Sequence, residues 1–238
     1  MKVSPVKCDL NTCFLCKSAL KSWHQVISLN RQNFEYKKGE QIFKEGDEVK
    51  GIYFIYKGKV KVHKHWDAEK EFIARFAKEG DIVGHMGLGD ANRYPVSATA
   101  LEPTIVCYMS TEFFESTLEI NTKFTYNLMR FFANELLDKD RKMRDLVHMT
   151  VKARIAQSFI SLKKQFGISD DHFINIELTR QDLSAFAGVS YETLFKVIIE
   201  LSAQDVIHVA EKRYQIKDED FLLKIIEDDQ HKQLLKRK

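Results

Sequence analysis

The four cysteines are the residues whose type and spacing point most directly to chemistry. Cys8, Cys13 and Cys16 form a C-x4-C-x2-C pattern, and Cys107 follows 91 residues after Cys16. Four thiolates suit tetrahedral iron or zinc, and the spacing also matches the plant-type [2Fe–2S] pattern. In a chain expected to lie in the cytosol, four cysteines indicate metal binding or redox chemistry rather than a disulfide framework.

Other interpretations of the cysteines remain open at this stage. Cys8, Cys13 and Cys16 with His24 provide a set of zinc ligands. Cys13 and Cys16 alone have the spacing of a redox-active pair. Cys107 has the alternative of being an inert core residue, because free cysteine is commonly buried.

Composition favours a folded chain of one or two domains. The 238 residues are 44% hydrophobic and 30% charged, with a net charge of +3 that neither demands nor excludes nucleic acid. No apolar run is long enough to cross a membrane, which needs about 18 residues. The N-terminus lacks the apolar centre of a signal peptide. We therefore expect a cytoplasmic protein without a membrane partner.

Glycine placement predicts a region of strands followed by long helices. Eight of the ten glycines lie between Gly39 and Gly89, and none occurs from Asp90 to Phe166. Glycine permits the positive φ of tight turns, so closely spaced glycines between apolar runs indicate short strands joined by turns. Short strands of this kind predict an antiparallel sandwich, barrel or jelly roll. The predicted strands are Gln41–Phe43, Gly51–Tyr56, Lys59–His65, Glu71–Phe76 and Thr104–Met109.

A helix is predicted over Asn121–Met149, with a repeat typical of a coiled coil. Its members are spaced 3, 4, 3, 4 and 3 residues apart: Met129, Phe132, Leu136, Lys139, Met143 and Leu146. We call these six residues the seam and expect it to join two copies of the chain; the alternative is an amphipathic helix that packs on its own domain. Lys139 is the one polar member, and such a residue costs stability and can make assembly conditional. A second apolar stripe, Leu128, Phe131 and Leu137, is expected to pack within its own domain.

The last third of the chain has the pattern of a winged helix-turn-helix. Thr179 and Ser190 are placed to cap two short helices, Gln181–Ala187 and Ser190–Gln204, with Gly188 in the turn between them. Val206–Val209 and Tyr214–Ile216 then predict a hairpin. The charged end, Asp228–Lys238, is expected to fray.

Three motifs together resemble the family of the cyclic-AMP receptor protein and the fumarate–nitrate reductase regulator, the CRP/FNR family. GEQIFKEGDEVKGIYFIYKGKVKV, at Gly39–Val62, resembles the first strands of that family's β-roll. LTRQDLSAFAGVSYETLFKVIIEL, at Leu178–Leu201, resembles its helix-turn-helix. ALEPTIVCYM, at Ala100–Met109, resembles the last β-roll strand of the FNR branch.

The resemblance implies an α+β fold and a DNA-binding function that is not enzymatic. The expected domains are a cysteine-containing segment at 1–28, an antiparallel β-roll or jelly-roll sensor at 29–120, a dimerisation helix at 121–149, a winged helix-turn-helix at 150–227 and a charged tail at 228–238. Such proteins bind palindromic double-stranded DNA as homodimers. The resemblance also implies RNA polymerase as a partner.

Two groups of residues are expected to contact DNA. Tyr191, Glu192, Phe195 and Lys196 lie on the first turn of the second helix, where side chains reach base edges in the major groove. The resemblance places Thr179, Arg180, Ser190 and Thr193 at phosphate-contacting positions. Lys212 and Arg213 in the hairpin add positive charge for phosphate attraction.

The sensor is expected to use the cysteines rather than a cyclic nucleotide. His85 stands where the resemblance predicts the ribose-binding glutamate, and Tyr94 and Pro95 replace the phosphate-binding Arg–Ser or Arg–Thr pair. Cys107 falls on the strand that supplies one cluster ligand in the FNR branch, whose other cysteines are N-terminal. The use of all four cysteines in one set favours an iron–sulfur cluster, either [4Fe–4S] or [2Fe–2S].

Three other functions remain compatible with parts of the sequence. A regulator of the same fold with another small ligand or with thiol oxidation would keep the DNA surface and need no cluster. A cyclic-nucleotide-binding signalling module would need no helix-turn-helix. A cupin-like enzyme would need a metal site, for which His63, His65 and His85 are the available histidines.

Overall fold

Short antiparallel strands build the first of the chain's two units, which spans Met1–Leu136; the second spans Leu137–Lys238. The computed structural model describes residues 2–6, 12–65 and 71–235. The strands of the first unit are β1 (Lys2–Val3), β2 (Gln32–Tyr36), β3 (Gln41–Phe43), β4 (Gly51–Lys57), β5 (Lys59–His65), β6 (Glu71–Lys78), β7 (Ile82–Val83), β8 (Ser97–Ala100) and β9 (Thr104–Ser110). They form one sheet in the order β1-β2-β9-β4-β7 and another in the order β3-β8-β5-β6.

Strand β4 shows how the five-stranded sheet is covered on both faces. Successive side chains of a strand point to opposite faces. Tyr53 and Ile55 enter the core between the two sheets, whereas Ile52 and Phe54 enter a second core on the outer face of the five-stranded sheet. This second core also contains helices and all three described cysteines, and we call it the cysteine-side core.

Gly58 makes the turn between β4 and β5 possible. Its φ of +101° is in the region that favours glycine, and a Cβ atom there would lie 2.5 Å from Thr104 Oγ1. The predicted strand at Lys59–His65 has the bounds of β5, and Val60 and Val62 face the core between the sheets. The glycine pattern therefore locates both the turn and the strand after it.

In the described part of the chain, four α-helices accompany the sheets, and the fourth continues past the end of the first unit. They are α1 (Phe14–Ser18), α2 (His24–Asn30), α3 (Thr111–Ile120) and α4 (Thr122–His148). The predicted helix over Asn121–Met149 thus agrees with α4 to within one residue at each end. Leu128 and Phe131 of the second apolar stripe pack into the cysteine-side core. Leu137 does not, because its side chain is exposed.

The second unit contains the winged helix-turn-helix. Its further elements are α5 (Val151–Phe166), α6 (Arg180–Ala187), α7 (Tyr191–Ala203), β10 (Ile207–Ala210), β11 (Arg213–Ile216) and α8 (Glu219–Leu235). Strands β10 and β11 pair antiparallel as the predicted hairpin. Among the described residues, no helix has the length and apolar character needed to cross a membrane.

The charged end differs from the prediction of a frayed segment from Asp228. Helix α8 continues to Leu235, and Asp229 is buried. Its carboxylate accepts the backbone N–H of Thr150, at 3.2 Å for Oδ2, at the N-terminus of α5. The first N–H groups of a helix have no hydrogen-bond partner within the helix. The Asp229 carboxylate accepts one N–H at the start of α5, and its negative charge interacts favourably with the positive end of the helix dipole.

Candidate functional site

A short helix near the N-terminus positions two of the cysteines. Cys13 caps α1, because its Sγ accepts the backbone N–H of Cys16 at 3.5 Å. The backbone N–H of Phe14 donates to the carbonyl oxygen of Gly80 at 2.8 Å, which holds the helix against the turn between β6 and β7. Leu15 and Cys16 are consequently buried against the sheet.

Strand β9 brings Cys107 to the same place. Alternation along β9 sends Val106 into the core between the sheets, and sends Cys107 and Met109 into the cysteine-side core. Cys13 and Cys107 are fully buried, and Cys16 is 3% exposed. Residues separated by 91 positions in the sequence are therefore members of one apolar cluster.

The thiol donors suit an iron–sulfur group in type, and the described cysteines do not form a compact ligand set for a single metal ion. Among the described residues, no three ligand atoms that include a cysteine sulfur lie within 4.8 Å of one another. A single zinc ion holds its sulfur ligands at about 2.3 Å and needs such a set, whereas an iron–sulfur cluster spreads its thiolate ligands over two or more iron atoms. An imidazole nitrogen of His24 lies 3.0 Å from the carbonyl oxygen of Cys16. Cys8, the fourth predicted ligand, lies outside the described residues.

A buried polar group connects the β-roll to α4 within the first unit. Glu135 Oε2 lies 2.7 Å from His85 Nε2, and Glu135 Oε1 lies 3.0 Å from Arg75 Nε. The ring of His85 also packs edge-to-face against Phe131 and Phe132 of α4. His85 stands at the position where the resemblance predicts a ribose-binding glutamate. Its imidazole is paired with the carboxylate of Glu135 in the same chain.

Replacing Glu135 with glutamine is expected to lower the free energy of unfolding by about 1–3 kcal/mol. The change keeps the shape of the side chain but leaves the half-buried Arg75 without its charged partner, and removing one member of such a pair is costly. Chemical denaturation measures the effect. Glu119→Gln, an exposed change on α3, is the control and is expected to change stability by less than about 0.5 kcal/mol. Equal stability of the two variants would contradict this role of Glu135.

Local hydrogen bonds fix the helix-turn-helix as the sequence predicts. Thr179 and Asp182 form a reciprocal capping box at the start of α6. Gly188 adopts a φ of +65° in the turn, where its carbonyl oxygen accepts from the guanidinium of Arg154 at 2.9 Å. A Cβ atom on Gly188 would lie 2.5 Å from Leu146 Cδ2. The turn therefore needs glycine for both its conformation and its packing.

Helix α7 presents the residues expected to read bases. Ser190 caps the helix by accepting the backbone N–H of Thr193 at 3.2 Å. The side chains predicted to face DNA are all exposed: Tyr191, Glu192, Phe195 and Lys196. The rings of Tyr191 and Phe195 are nearly parallel, with centroids 6.4 Å apart. Hydrogen bonds with its own backbone N–H and the Ser190 hydroxyl, together with Lys196, lower the pKa of the Glu192 carboxyl.

The residues predicted to contact phosphates differ in the contacts that their side chains make within the protein. The guanidinium of Arg180 lies 5.4 Å from the ring centroid of Phe195, one of the residues predicted to face bases. The Thr179 hydroxyl is used in the capping box. Arg213 pairs with Asp171 and covers the ring of Phe173 at 4.2 Å. Lys212 is exposed in the turn of the hairpin.

The seam residues lie on exposed parts of α4. Leu136 is 70% exposed, and Met129, Phe132 and Met143 are also exposed. Lys139 is exposed and Leu146 is half-buried. A row of large apolar side chains on one helix favours burial against another apolar surface.

Comparisons with known proteins agree with both halves of the architecture. Residues 33–121 match the family model described as cyclic nucleotide-binding domain, and residues 153–225 match the Crp-like helix-turn-helix domain. The transcriptional activator protein anr of Pseudomonas aeruginosa is 30% identical over 185 residues, which cover 76% of this chain and 75% of that protein. The chain belongs to the CRP/FNR family of transcription regulators. The anaerobic regulatory protein of Bacillus subtilis is 29% identical, with 83% of each chain covered.

Solved structures show the same CRP/FNR fold. FixK2 from Bradyrhizobium japonicum superimposes with a TM-score of 0.73 at 20% identity, covering 82% of this chain and 96% of that one. A CooA mutant from Carboxydothermus hydrogenoformans has a TM-score of 0.73 at 16% identity, covering 94% and 98%. The predicted fold class is confirmed: an antiparallel β-roll, long helices and a C-terminal helix-turn-helix.

The sequence did not predict two polar clusters, one that contains Arg75 and Glu135 and one that contains Glu71. Arg75 and Glu135 were not singled out, because they lie 60 positions apart and share no local pattern. Glu71 was also missed, although His63 and His65 were named as possible metal ligands. The signal available there was the spacing of two histidines on one face of a strand, followed by a carboxylate on the next strand.

Proposed function

We propose that this protein is a cytoplasmic homodimeric regulator that binds palindromic DNA and senses oxygen, nitric oxide or redox state through an iron–sulfur cluster, not a cyclic nucleotide. The ligands are Cys8, Cys13, Cys16 and Cys107. The observation that carries the proposal is the burial of three of these cysteines in one core beside α4. RNA polymerase is the proposed partner at promoters.

The chemistry of the cysteines supports this choice. Thiolates are the ligands preferred by iron–sulfur clusters, which supply an iron centre that reacts with oxygen or nitric oxide. The described cysteines lie among apolar side chains, including Leu15 and Phe54, which limit access of water. Solvent access and the dielectric around the sulfur atoms tune such sites. Both [4Fe–4S] and [2Fe–2S] types remain open.

The contacts of Phe14 provide a route from the cysteines to α4. Phe14 follows Cys13 directly in the sequence. The centroid of its ring lies 6.0 Å from that of Phe124 and 5.3 Å from that of Phe131. Movement of α1 therefore changes the packing of the first half of α4. Packed aromatic contacts of this kind couple two elements only if each has two arrangements, and we propose that α4 is the element with two arrangements.

The seam converts the state of α4 into the state of the dimer. Two apolar seams facing each other would bury side chains such as Leu136 that one chain leaves exposed. Lys139 would face its counterpart and oppose assembly. We propose that the packing of α1 on α4 offsets this cost when the cysteines hold the cluster, so that dimerisation depends on the sensor.

On DNA, α7 is proposed to enter the major groove of each half-site. Glu192 can accept from a cytosine amino group, and Lys196 can donate to guanine acceptors. The lowered pKa of the Glu192 carboxyl is consistent with an acceptor that stays ionised well below neutral pH. Lys212 contacts a phosphate without reading sequence. The two-fold symmetry of the dimer then requires half-sites about one helical turn apart.

Lys196→Ala and Lys212→Ala are expected to affect DNA binding in different ways. With a palindromic site selected by the wild type from random DNA, Lys196→Ala is expected to weaken binding about 5- to 150-fold and to relax preference at one base pair. Lys212→Ala is expected to weaken binding to all sequences alike and to reduce the salt slope by about one. Fluorescence anisotropy across a salt series, with anaerobic and air-exposed protein, measures both.

The control for these variants is Lys224→Ala, an exposed change on α8 that is expected to leave the affinity unchanged. Weaker binding after exposure to air supports the sensor as well as the DNA surface. If Lys196→Ala kept full base preference, the assignment of α7 as the reading helix would be wrong. If wild-type binding were the same with and without air, the DNA function would stand and the oxygen-sensing proposal would fail.

A thiol-based sensor is the second candidate, and one observation favours it. Cys13 Sγ accepts a backbone N–H at the start of α1, an arrangement that favours a thiolate. A disulfide formed by Cys13 and Cys16 would then replace the cluster as the redox element. Iron and sulfide content distinguish the two candidates, because only a cluster requires both.

A further inference from the structure

We propose that His63, His65 and Glu71 bind a divalent transition-metal ion of the zinc type on the β5–β6 hairpin. These three residues offer one ligand atom each, and the three atoms lie within 4.8 Å of one another. Among the described residues, no other group of three histidine, cysteine or acidic side chains brings its ligand atoms this close together. None of the three belongs to the cysteine-side core, so this site is separate from the proposed sensor.

The strand register places the three ligands together. His63 and His65 are two positions apart on β5, and His65 is paired directly with Glu71 of β6. Alternate residues of one strand and a directly opposite residue share a face of the sheet. Glu71 Oε1 consequently lies 2.7 Å from His63 Nδ1 and 3.8 Å from His65 Nε2. These distances bracket the roughly 3.3 Å expected between ligand atoms bound tetrahedrally at about 2.0–2.1 Å from zinc.

His63 supplies the second observation that points to a ligand. Its side chain is 97% buried, with a relative exposure of 3%, and its Nδ1 atom is paired with the carboxylate of Glu71. Nδ1 lies 2.7 Å from Glu71 Oε1, so a buried nitrogen and a carboxylate oxygen already face each other. A proton on Nδ1 accounts for this contact when no metal is bound, and a metal ion would take the place of that proton between the same two atoms.

The surroundings of the three ligands fit a metal site. The other nitrogen of His63, Nε2, lies 2.8 Å from Thr99 Oγ1, the kind of partner that fixes the ring of a metal-bound histidine. Lys61 Nζ lies 2.9 Å from Glu71 Oε2, so the carboxylate has one oxygen left for the metal. His65 is 49% exposed in its side chain, which provides access from solvent. Two histidines and one carboxylate leave a fourth position for water, as in zinc sites of the His₂Glu type.

Metal titration of the full chain tests the proposal, with oxygen excluded so that the cysteines stay reduced. Zinc titration by calorimetry gives the affinity, and cobalt substitution gives the ligand type from the visible spectrum. Cobalt bound to thiolate has strong sulfur-to-metal charge-transfer bands, whereas cobalt bound by histidine and carboxylate lacks them. The wild type is expected to bind one ion without these bands, in addition to any ion bound by cysteine.

Two variants remove ligands, and a third removes the hydrogen bond behind a ligand. His65→Ala and Glu71→Gln are each expected to weaken this binding at least 10-fold, and Thr99→Val is expected to weaken it about 10- to 100-fold. His231→Ala, an exposed histidine on α8, is the control and is expected to change the affinity less than twofold. The exposure of His65 makes this replacement compatible with folding, and thermal unfolding without metal checks this.

Two results would overturn the metal site. One is an equal number of bound ions and equal affinity in the wild type and in a folded His65→Ala variant. The other is a cobalt spectrum in which all bound metal shows thiolate charge transfer. The iron–sulfur proposal does not depend on the first result, and the second places the bound cobalt at cysteine without testing for iron and sulfide.

Discussion

Protein carrying Cys107→Ala is expected to contain neither iron nor acid-labile sulfide in stoichiometric amounts after anaerobic reconstitution, whereas the wild type contains both. Cys107 is fully buried in the same core as Cys13 and Cys16, and it comes from a different part of the sequence. Loss of one of four thiolates leaves an iron atom without its protein ligand. Metal and sulfide analysis of the purified variant measures the effect.

The control must separate loss of the cofactor from damage to the core. Val106→Ala removes a buried side chain from the same strand but on its other face, and is expected to cost about 1–3 kcal/mol while keeping iron and sulfide. Cys107→Ala is expected to cost about 1 kcal/mol in the cofactor-free protein. A Cys107→Ala protein that keeps full iron and sulfide content would show that Cys107 is a core residue only.

Leu136→Glu is expected to convert the dimer into a monomer and to weaken binding to a palindromic site by at least about 100-fold. The leucine side chain is 70% exposed in one chain and lies near the middle of the seam. Glutamate there would place like charges opposite each other in the dimer and remove an apolar contact. Sedimentation analysis gives the state of assembly, and titration of a palindromic and a half-site DNA gives the affinities.

Leu137→Glu provides a matched control for the seam. It introduces the same charge at the next position, where the side chain is 54% exposed and lies outside the seam. This variant is expected to remain a dimer. The opposite change, Lys139→Leu, is expected to raise the dimer fraction of air-exposed protein. Equal behaviour of Leu136→Glu and Leu137→Glu would show that the seam is not the interface.

Local features of the fold could be predicted because neighbouring residues determine them. The capping box of Thr179 and Asp182, the turn at Gly188 and the strand Lys59–His65 all follow from residues within a few positions of one another. Alternation and capping need no knowledge of distant parts of the chain. These features also carried the resemblance to the family, and the comparisons confirm it.

The groups that were missed depend on contacts between distant residues. Asp229 belongs to a charged run, and only its contact with Thr150 shows that it is buried at a helix start. The group formed by Arg75, His85 and Glu135 requires α4 to lie beside β6 and the turn after β7. Sequence patterns report which face of an element is apolar, but not which polar side chains on two elements meet.

The position of Glu71 shows the same limit in a hairpin. The sequence places His63 and His65 on one face of a strand, but the partner of His65 depends on the register of β5 against β6. That register is displaced by an irregularity between Val62 and His63. A shift of one residue would send Glu71 to the opposite face and separate it from both histidines.

The visible spectrum of protein purified without oxygen, with its iron and sulfide content, tests the central proposal most directly. We expect a brown protein with stoichiometric iron and acid-labile sulfide that loses its colour in air, together with weaker binding to palindromic DNA after that loss. A colourless protein without iron or sulfide, even after anaerobic reconstitution, would contradict the iron–sulfur sensor.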